Sequence, residues 1–167
     1  MVKFMETHMS TSRSTAKAAS EASSAKVSSR RLRQLATARV KSAAGTGLVD
    51  QVKQGLPFRD LDTLAQDLGM TTNRLAEDFL GISRATLTRR RKGGQLNPDE
   101  SDKVVRFSRL LRLATDLMEG DDAACRRWLS APLPLLGNES PLEYARTEIG
   151  AHELEQLIGR LEHGVYS

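Results

Sequence analysis

Apolar residues return every three or four positions along most of the chain, and the exceptions mark its boundaries. Residues 1–46 show no such period; Ser, Ala, Lys and Arg dominate, leaving too little apolar surface to offset the entropy of ordering. Leu32, Leu35 and Ala36 fall at helical spacing between Arg30 and Lys41, enough for a marginal helix only. Gly45-Thr46-Gly47 reads as a flexible joint. Beyond it no run alternates Val, Ile, Thr and Tyr as strands do, so an all-α fold is expected.

The helical period resolves into discrete elements. Leu48 to Gln54 predicts a short helix ended by Gly55, and Pro57 breaks the chain. Asp60 or Asp62 can cap a second helix carrying Leu61, Leu64, Ala65 and Leu68, closed by Gly69. Thr71 or Thr72 caps a third, with Leu75, Ala76, Phe79 and Leu80 inward and Gly81 at its end. Ser83 caps a fourth, Arg84 to about Lys92, stopped by Gly93-Gly94.

Asn97-Pro98-Asp99-Glu100 opens a long helix to about Met118, with an Asn cap, Pro at the first helical position and acids in the first turn. Val104, Phe107, Leu111, Ala114 and Met118 recur along it, and Leu110, Leu113 and Leu117 widen the stripe. So broad a face predicts two contacts, the core and a second subunit, and those five residues are the expected homodimer interface. A short helix from Asp121 to Leu129, a stretch through Pro132 and Pro134, and a brief helix started by Ser140-Pro141 follow. The last helix is expected from about Ala151 to His163, with Leu154, Leu157, Ile158 and Leu161 inward. Gly164 ends it, leaving Val165-Tyr166-Ser167 as a free tail. The expected organisation is a disordered basic arm (1–46), a helix-turn-helix domain (47–96) and a second helical domain (97–167).

Charge reinforces this division. The net charge of +4 is distributed as +7 over residues 1–47, +2 over 48–96 and −5 over 97–167. A basic front and an acidic back suit a chain that meets nucleic acid at one end and another partner at the other. The Ser/Ala/Arg-rich arm also has the composition of a mitochondrial transit peptide, but a phosphate-binding arm fits what lies downstream better. No apolar segment is long enough to span a membrane and no secretory leader is visible, so the expected location is cytoplasmic. Cys125, the single cysteine, has no partner for a disulfide or zinc site and reads as a buried apolar residue.

Residues 60–96 carry the sharpest motif. A helix-turn-helix needs a left-handed turn residue, an apolar plug after it and an anchor in the second helix, and Gly81, Ile82 and Leu87 supply all three. With Leu87 inward, Arg84, Ala85, Thr88 and Arg89 point outward and are the expected base contacts, Arg being able to grip guanine bidentately. Ser83, Thr86, Arg90, Arg91 and Lys92 are the expected phosphate contacts. One departure stands out: the small residue usual four places before the turn glycine is Glu77 here, with Ala76 one place earlier. The preceding helix therefore enters the turn in a shifted register. A solvated basic helix that never meets DNA is the competing reading, set aside because the cations directly follow the correct anchors.

An enzyme is not expected. His8, His152 and His163 have no nucleophile or ligand at a useful spacing, and no glycine-rich phosphate loop follows a strand. No catalytic residue, cofactor or metal is expected. Two classes remain, a stand-alone dimeric transcriptional regulator and a protein whose second half grips another protein.

From Leu48 onward the chain resembles Xre-type antitoxins of the Xre/MbcA/ParS group. The resemblance is carried by the helix-turn-helix, by Leu96-Asn97-Pro98-Asp99-Glu100-Ser101-Asp102 leading a Leu-rich helix, by Trp128-Leu129 before Pro132, by Leu136-Gly137 with Pro141-Leu142-Glu143, and by Thr147-Glu148-Ile149-Gly150. Such a resemblance implies binding and silencing of a RES-domain toxin that consumes NAD, and repression of the shared operon through the DNA-binding module. It further implies that the C-terminal region covers the toxin's active site, here Arg160, His163, Gly164, Val165, Tyr166 and Ser167. Asn138 stands where many relatives carry a second Gly, and Tyr144-Ala145 where they are more aliphatic. Trp128 reads as a core anchor.

Overall fold

The computed structural model describes residues 46–162. The basic arm, its Arg30–Lys41 segment, and the tail residues His163, Gly164, Val165, Tyr166 and Ser167 lie outside the described residues. Within them the fold is helical throughout: α1 (Thr46–Gln54), α2 (Phe58–Asp67), α3 (Thr72–Arg74) running into a π-helical turn (Leu75–Phe79), α4 (Arg84–Gly93), α5 (Pro98–Leu117), α6 (Asp122–Ser130), a 3₁₀ turn (Pro134–Leu136), α7 (Pro141–Tyr144) and α8 (Glu148–Glu162).

Several boundaries differ from expectation for identifiable reasons. Helix α1 begins at Thr46, so Gly47 lies inside a helix and not in a joint. Pro57 takes the position before α2, which starts at Phe58; Asp60 is consequently buried in the first turn and neither it nor Asp62 is the cap. Helix α8 starts at Glu148, three residues before the expected Ala151, because the Thr147 hydroxyl accepts the Gly150 N–H at 3.0 Å. Gly150 is needed there: a Cβ would lie 2.0 Å from the Tyr144 carbonyl oxygen.

Caps follow the chemistry of the sequence elsewhere. Asn97 Oδ1 accepts the Glu100 N–H at 2.7 Å while Glu100 returns a carboxylate oxygen to the Asn97 N–H at 2.9 Å, a complete capping box opening α5. Ser140 and Glu143 repeat the device on α7. Asp121 accepts the N–H groups of Ala123 and Ala124 at the head of α6.

One hydrophobic core runs through both halves. Leu61, Leu64, Leu75, Ala76, Leu80 and Leu87 from the first half are buried in the same cluster as Val104, Phe107, Leu110, Leu129, Leu154 and Ile158. Helix α5 is its axis and packs against α1, α2, α6 and α8. This corrects the expected subunit interface: Val104, Phe107 and Ala114 are buried within the chain's own core, and only Leu111 and Met118 of the five keep partial exposure. The stripe is wide because helices cover it from several sides. Trp128 is half-buried against the same core, and Cys125 is buried beside the Thr115 hydroxyl.

Candidate nucleic-acid interface

The turn between α3 and α4 is assembled from local chemistry. Gly81 takes φ +67°, a region costly for residues with a Cβ. Ile82 and Leu87 are buried, as their roles of plug and anchor require. Ser83 accepts the Thr86 N–H and caps α4.

The shifted register has a structural cause. Leu80 N–H bonds to Leu75 O, five residues back, at 3.1 Å, and Ile82 N–H bonds to Ala76 O at 2.8 Å. The π-helical turn absorbs one extra residue before Gly81. Ala76 thereby becomes the fully buried small residue, and Glu77 is left partly exposed beside the turn.

Helix α5 braces this unit at two points. The Lys103 ammonium donates to Leu80 O at 2.6 Å, holding the end of the π turn. Glu100 accepts the Arg90 Nε–H on both oxygens, at 2.8 and 3.1 Å, and fixes the far end of α4. The segment after α4 is pinned as well. Leu96 N–H bonds to Leu56 O, Phe58 N–H bonds to Gly94 O, and Leu56 N–H donates to Ser101 Oγ at 2.8 Å. Gly55, at φ +93°, passes so close to this strap that a Cβ would lie 2.1 Å from Leu96 O. The angle of α4 is thus set by backbone and charge contacts as well as by Leu87.

The expected contact residues divide on this frame. Arg84, Ala85, Thr88 and Arg89 are all exposed on α4. Arg84 is not unengaged: its Nε donates to Glu77 Oε1 at 2.7 Å. Among the phosphate candidates, Ser83, Arg91 and Lys92 are exposed and Thr86 is partly so. Arg91 stacks over the Phe58 ring at 5.3 Å, which fixes its stem while the residue stays at the surface. Arg90 is a correction. Its side chain is 24% exposed and held by a Glu100 carboxylate that is 9% exposed, so it is a brace and not a free phosphate ligand. Sequence reasoning marked Glu77 only as a register anomaly and Glu100 only as part of a helix start, and it missed Lys103 and Phe58, whose contacts carry no local signal.

Helix α8 carries an acidic surface. Arg106 pairs with Glu148 at 2.7 Å and Arg109 with Glu155, joining α5 to α8. The Tyr144 hydroxyl donates to Glu153, and that bond to a carboxylate raises its pKa above the ordinary phenol value. Ile149, 74% exposed, lies along a shallow groove with Glu148, His152, Glu153 and Gln156. Arg160 is exposed near the end of the helix. Gly137 and Asn138 both take left-handed backbone, φ +66° and +67°, a region that glycine enters freely and asparagine tolerates better than most residues.

An exposed basic helix fixed after a glycine turn, on a core shared with a second helical unit, defines a helix-turn-helix protein with an appended C-terminal module. Comparison with known proteins agrees in both parts. Residues 47–109 match the antitoxin Xre-like helix-turn-helix domain, and residues 113–164 match the antitoxin Xre/MbcA/ParS C-terminal toxin-binding domain. The chain is 39% identical over 127 residues to an antitoxin Xre of Yersinia enterocolitica, covering 75% of this chain and 85% of the relative. It is 32% identical over the same length to an antitoxin Xre of Photorhabdus laumondii, with the same coverage. The chain belongs to the Xre/MbcA/ParS antitoxin family. No helix among the described residues is long and apolar enough to cross a membrane.

Proposed function

We propose that this antitoxin binds and neutralises a RES-type, NAD-consuming toxin in the cytoplasm and represses its own operon through the helix-turn-helix. The observation that carries the reading is the union, on one core, of an exposed basic recognition helix with a segment matching a toxin-binding domain. Arg84, Ala85, Thr88 and Arg89 would read base edges, with Ser83, Thr86, Arg91 and Lys92 on phosphates. Arg160 and His163–Ser167 would cover the toxin's active site. The negative balance of this half suits a basic nucleotide pocket. A homodimer reading two half-sites remains part of the proposal, with Leu111 and Met118 the members of the expected interface that keep exposed surface.

Co-expression with a RES-domain toxin tests the reading. Wild-type protein should rescue growth and co-purify with the toxin. Deleting Val165 to Ser167 should abolish rescue and leave operator binding intact; unchanged rescue would remove the tail from the mechanism. Light scattering that gives a monomer on operator DNA would remove the two half-sites.

A further inference from the structure

Glu77 is an acid placed against the helix that carries most of the cations on this face. A carboxylate there opposes phosphate binding, so its position calls for a reason other than affinity. Stability does not supply one: Arg84 is 80% exposed and Glu77 32% exposed, and ion pairs at such exposure contribute little to folding. The contact is nevertheless well formed, with the Arg84 Nε–H donating to Glu77 Oε1 at 2.7 Å. It exists because of the π-helical turn, whose extra residue buries Ala76 and leaves Glu77 beside the first residue of α4.

The atoms used give the contact its meaning. Arginine presents five N–H donors in a rigid plane, and Glu77 takes only the one on Nε. The terminal Nη pair, whose spacing matches O6 and N7 of guanine, remains for another ligand. Fixing the plane in advance lowers the side-chain entropy lost on binding. We infer that Glu77 is a positioning residue that presents Arg84 to a guanine, so that the pair increases discrimination at the cost of some general affinity. The inference rests on the reading of α4 as an operator-binding helix and places a specificity element at its first residue.

The test compares the full chain and its E77Q, R84K and E77Q/R84K variants on two probes. One is a duplex recovered by selection from a random-sequence pool, and the other is an unrelated duplex of equal length. E77Q should weaken binding to the selected duplex about fivefold and leave the unrelated duplex unchanged or up to about twofold tighter, lowering discrimination about five- to tenfold. On R84K, which cannot form the planar pair, E77Q should remove no further discrimination. Substituting the guanine should cost wild type more than E77Q. Thermal melting within a few degrees of wild type establishes that the variants fold, and E77D, which keeps the charge, should retain most of the discrimination. Equal tightening of E77Q on both duplexes would overturn the inference and make Glu77 a simple repulsive charge. A wild-type chain that binds both duplexes alike would overturn the operator reading and this inference with it.

Discussion

Breaking the Arg90–Glu100 brace at Glu100 should destabilise the fold and, on the proposed function, distort DNA recognition while every cation of α4 stays in the sequence. In Glu100→Ala the Arg90 Nε is deprived of both carboxylate oxygens and the Asn97 N–H of its partner at 2.9 Å. A charge-assisted bond in a largely buried setting contributes about 1.5–3 kcal/mol, and losing half a capping box costs roughly 1 kcal/mol. Arg90 keeps enough exposure to turn towards water, which places the sum near the lower end, about 2–3 kcal/mol. Glu100→Gln keeps an acceptor for Asn97 and should cost about 1 kcal/mol. Arg90→Ala leaves the capping box in place and should cost about 1–2 kcal/mol. Thermal melts should then show Glu100→Ala lower by about 10 °C, at roughly 4 °C per kcal/mol for a domain of this size. A double-mutant cycle should return a coupling of about 1 kcal/mol. Binding to DNA across a salt series supplies the second readout, because removing one cation that neutralises a phosphate lowers the slope by about 0.9. Near-zero coupling, together with a slope lowered by that amount in Arg90→Ala, would refute the brace and return Arg90 to the phosphates.

The other expectations rest on separate features. Gly150→Ala drives a Cβ to 2.0 Å from the Tyr144 carbonyl oxygen and should cost about 3 kcal/mol, read as a melting point about 10 °C lower; a wild-type melt would mean that α8 slides freely on α7. Asp121 is held below its ordinary 3.8 chiefly by the Ala124 N–H, and Glu143 below its ordinary 4.5 by the Ser140 N–H and then its hydroxyl. Both carboxylates bind protons more weakly folded than unfolded, so their contribution is present above those values and lost as pH falls through the folded ones. Asp121→Asn and Glu143→Gln should therefore flatten the loss of melting temperature below about pH 4.5, and an acid limb as steep as wild type would count against this. Arg89→Ala should cost about 1–3 kcal/mol on the selected duplex; equal loss on unrelated DNA would make Arg89 a phosphate contact. A fragment ending at Leu96 gives up buried Val104, Phe107 and Leu110, more apolar burial than a margin of about 5–15 kcal/mol tolerates, and should lack a cooperative melt.

What could be read in the sequence was whatever local chemistry decides. Gly81, Ile82 and Ser83 must respectively turn left-handed, enter the core and cap a helix, and each residue type announces its task. The Asn97-Pro98 start of α5 is legible for the same reason. The misplaced Ala76 was visible as an anomaly, but its resolution needed the Ile82 N–H to reach Ala76 O, a choice made by packing around the turn. Arg90 illustrates the limit of spacing arguments. Its partner lies ten residues away across a glycine break, so the pairing depends on the angle between α4 and α5, which no local pattern encodes. Gly150 stood out only as part of a motif, since its necessity comes from the approach of the Tyr144 carbonyl.

The α5 stripe shows most clearly how periodicity and partner differ as kinds of information. Recurrence at three and four residues says that a face is covered; it does not say by what. With two coverings in mind, the width required a second subunit, whereas α1, α2, α6 and α8 of the same chain supply the cover. The consequence reaches function. Glu100 and Lys103 hold α4 and the turn before it, while Arg106 and Arg109, within the next two helical turns, hold α8. The two family matches likewise meet inside this helix, one ending at residue 109 and the other starting at 113. A helix of 20 residues is about 30 Å long and stiff on that scale. The basic helix α4 and the acidic helix α8 are therefore not beads on a linker: both are fastened to the first twelve residues of one helix, α4 through Glu100 and α8 through Arg106 and Arg109.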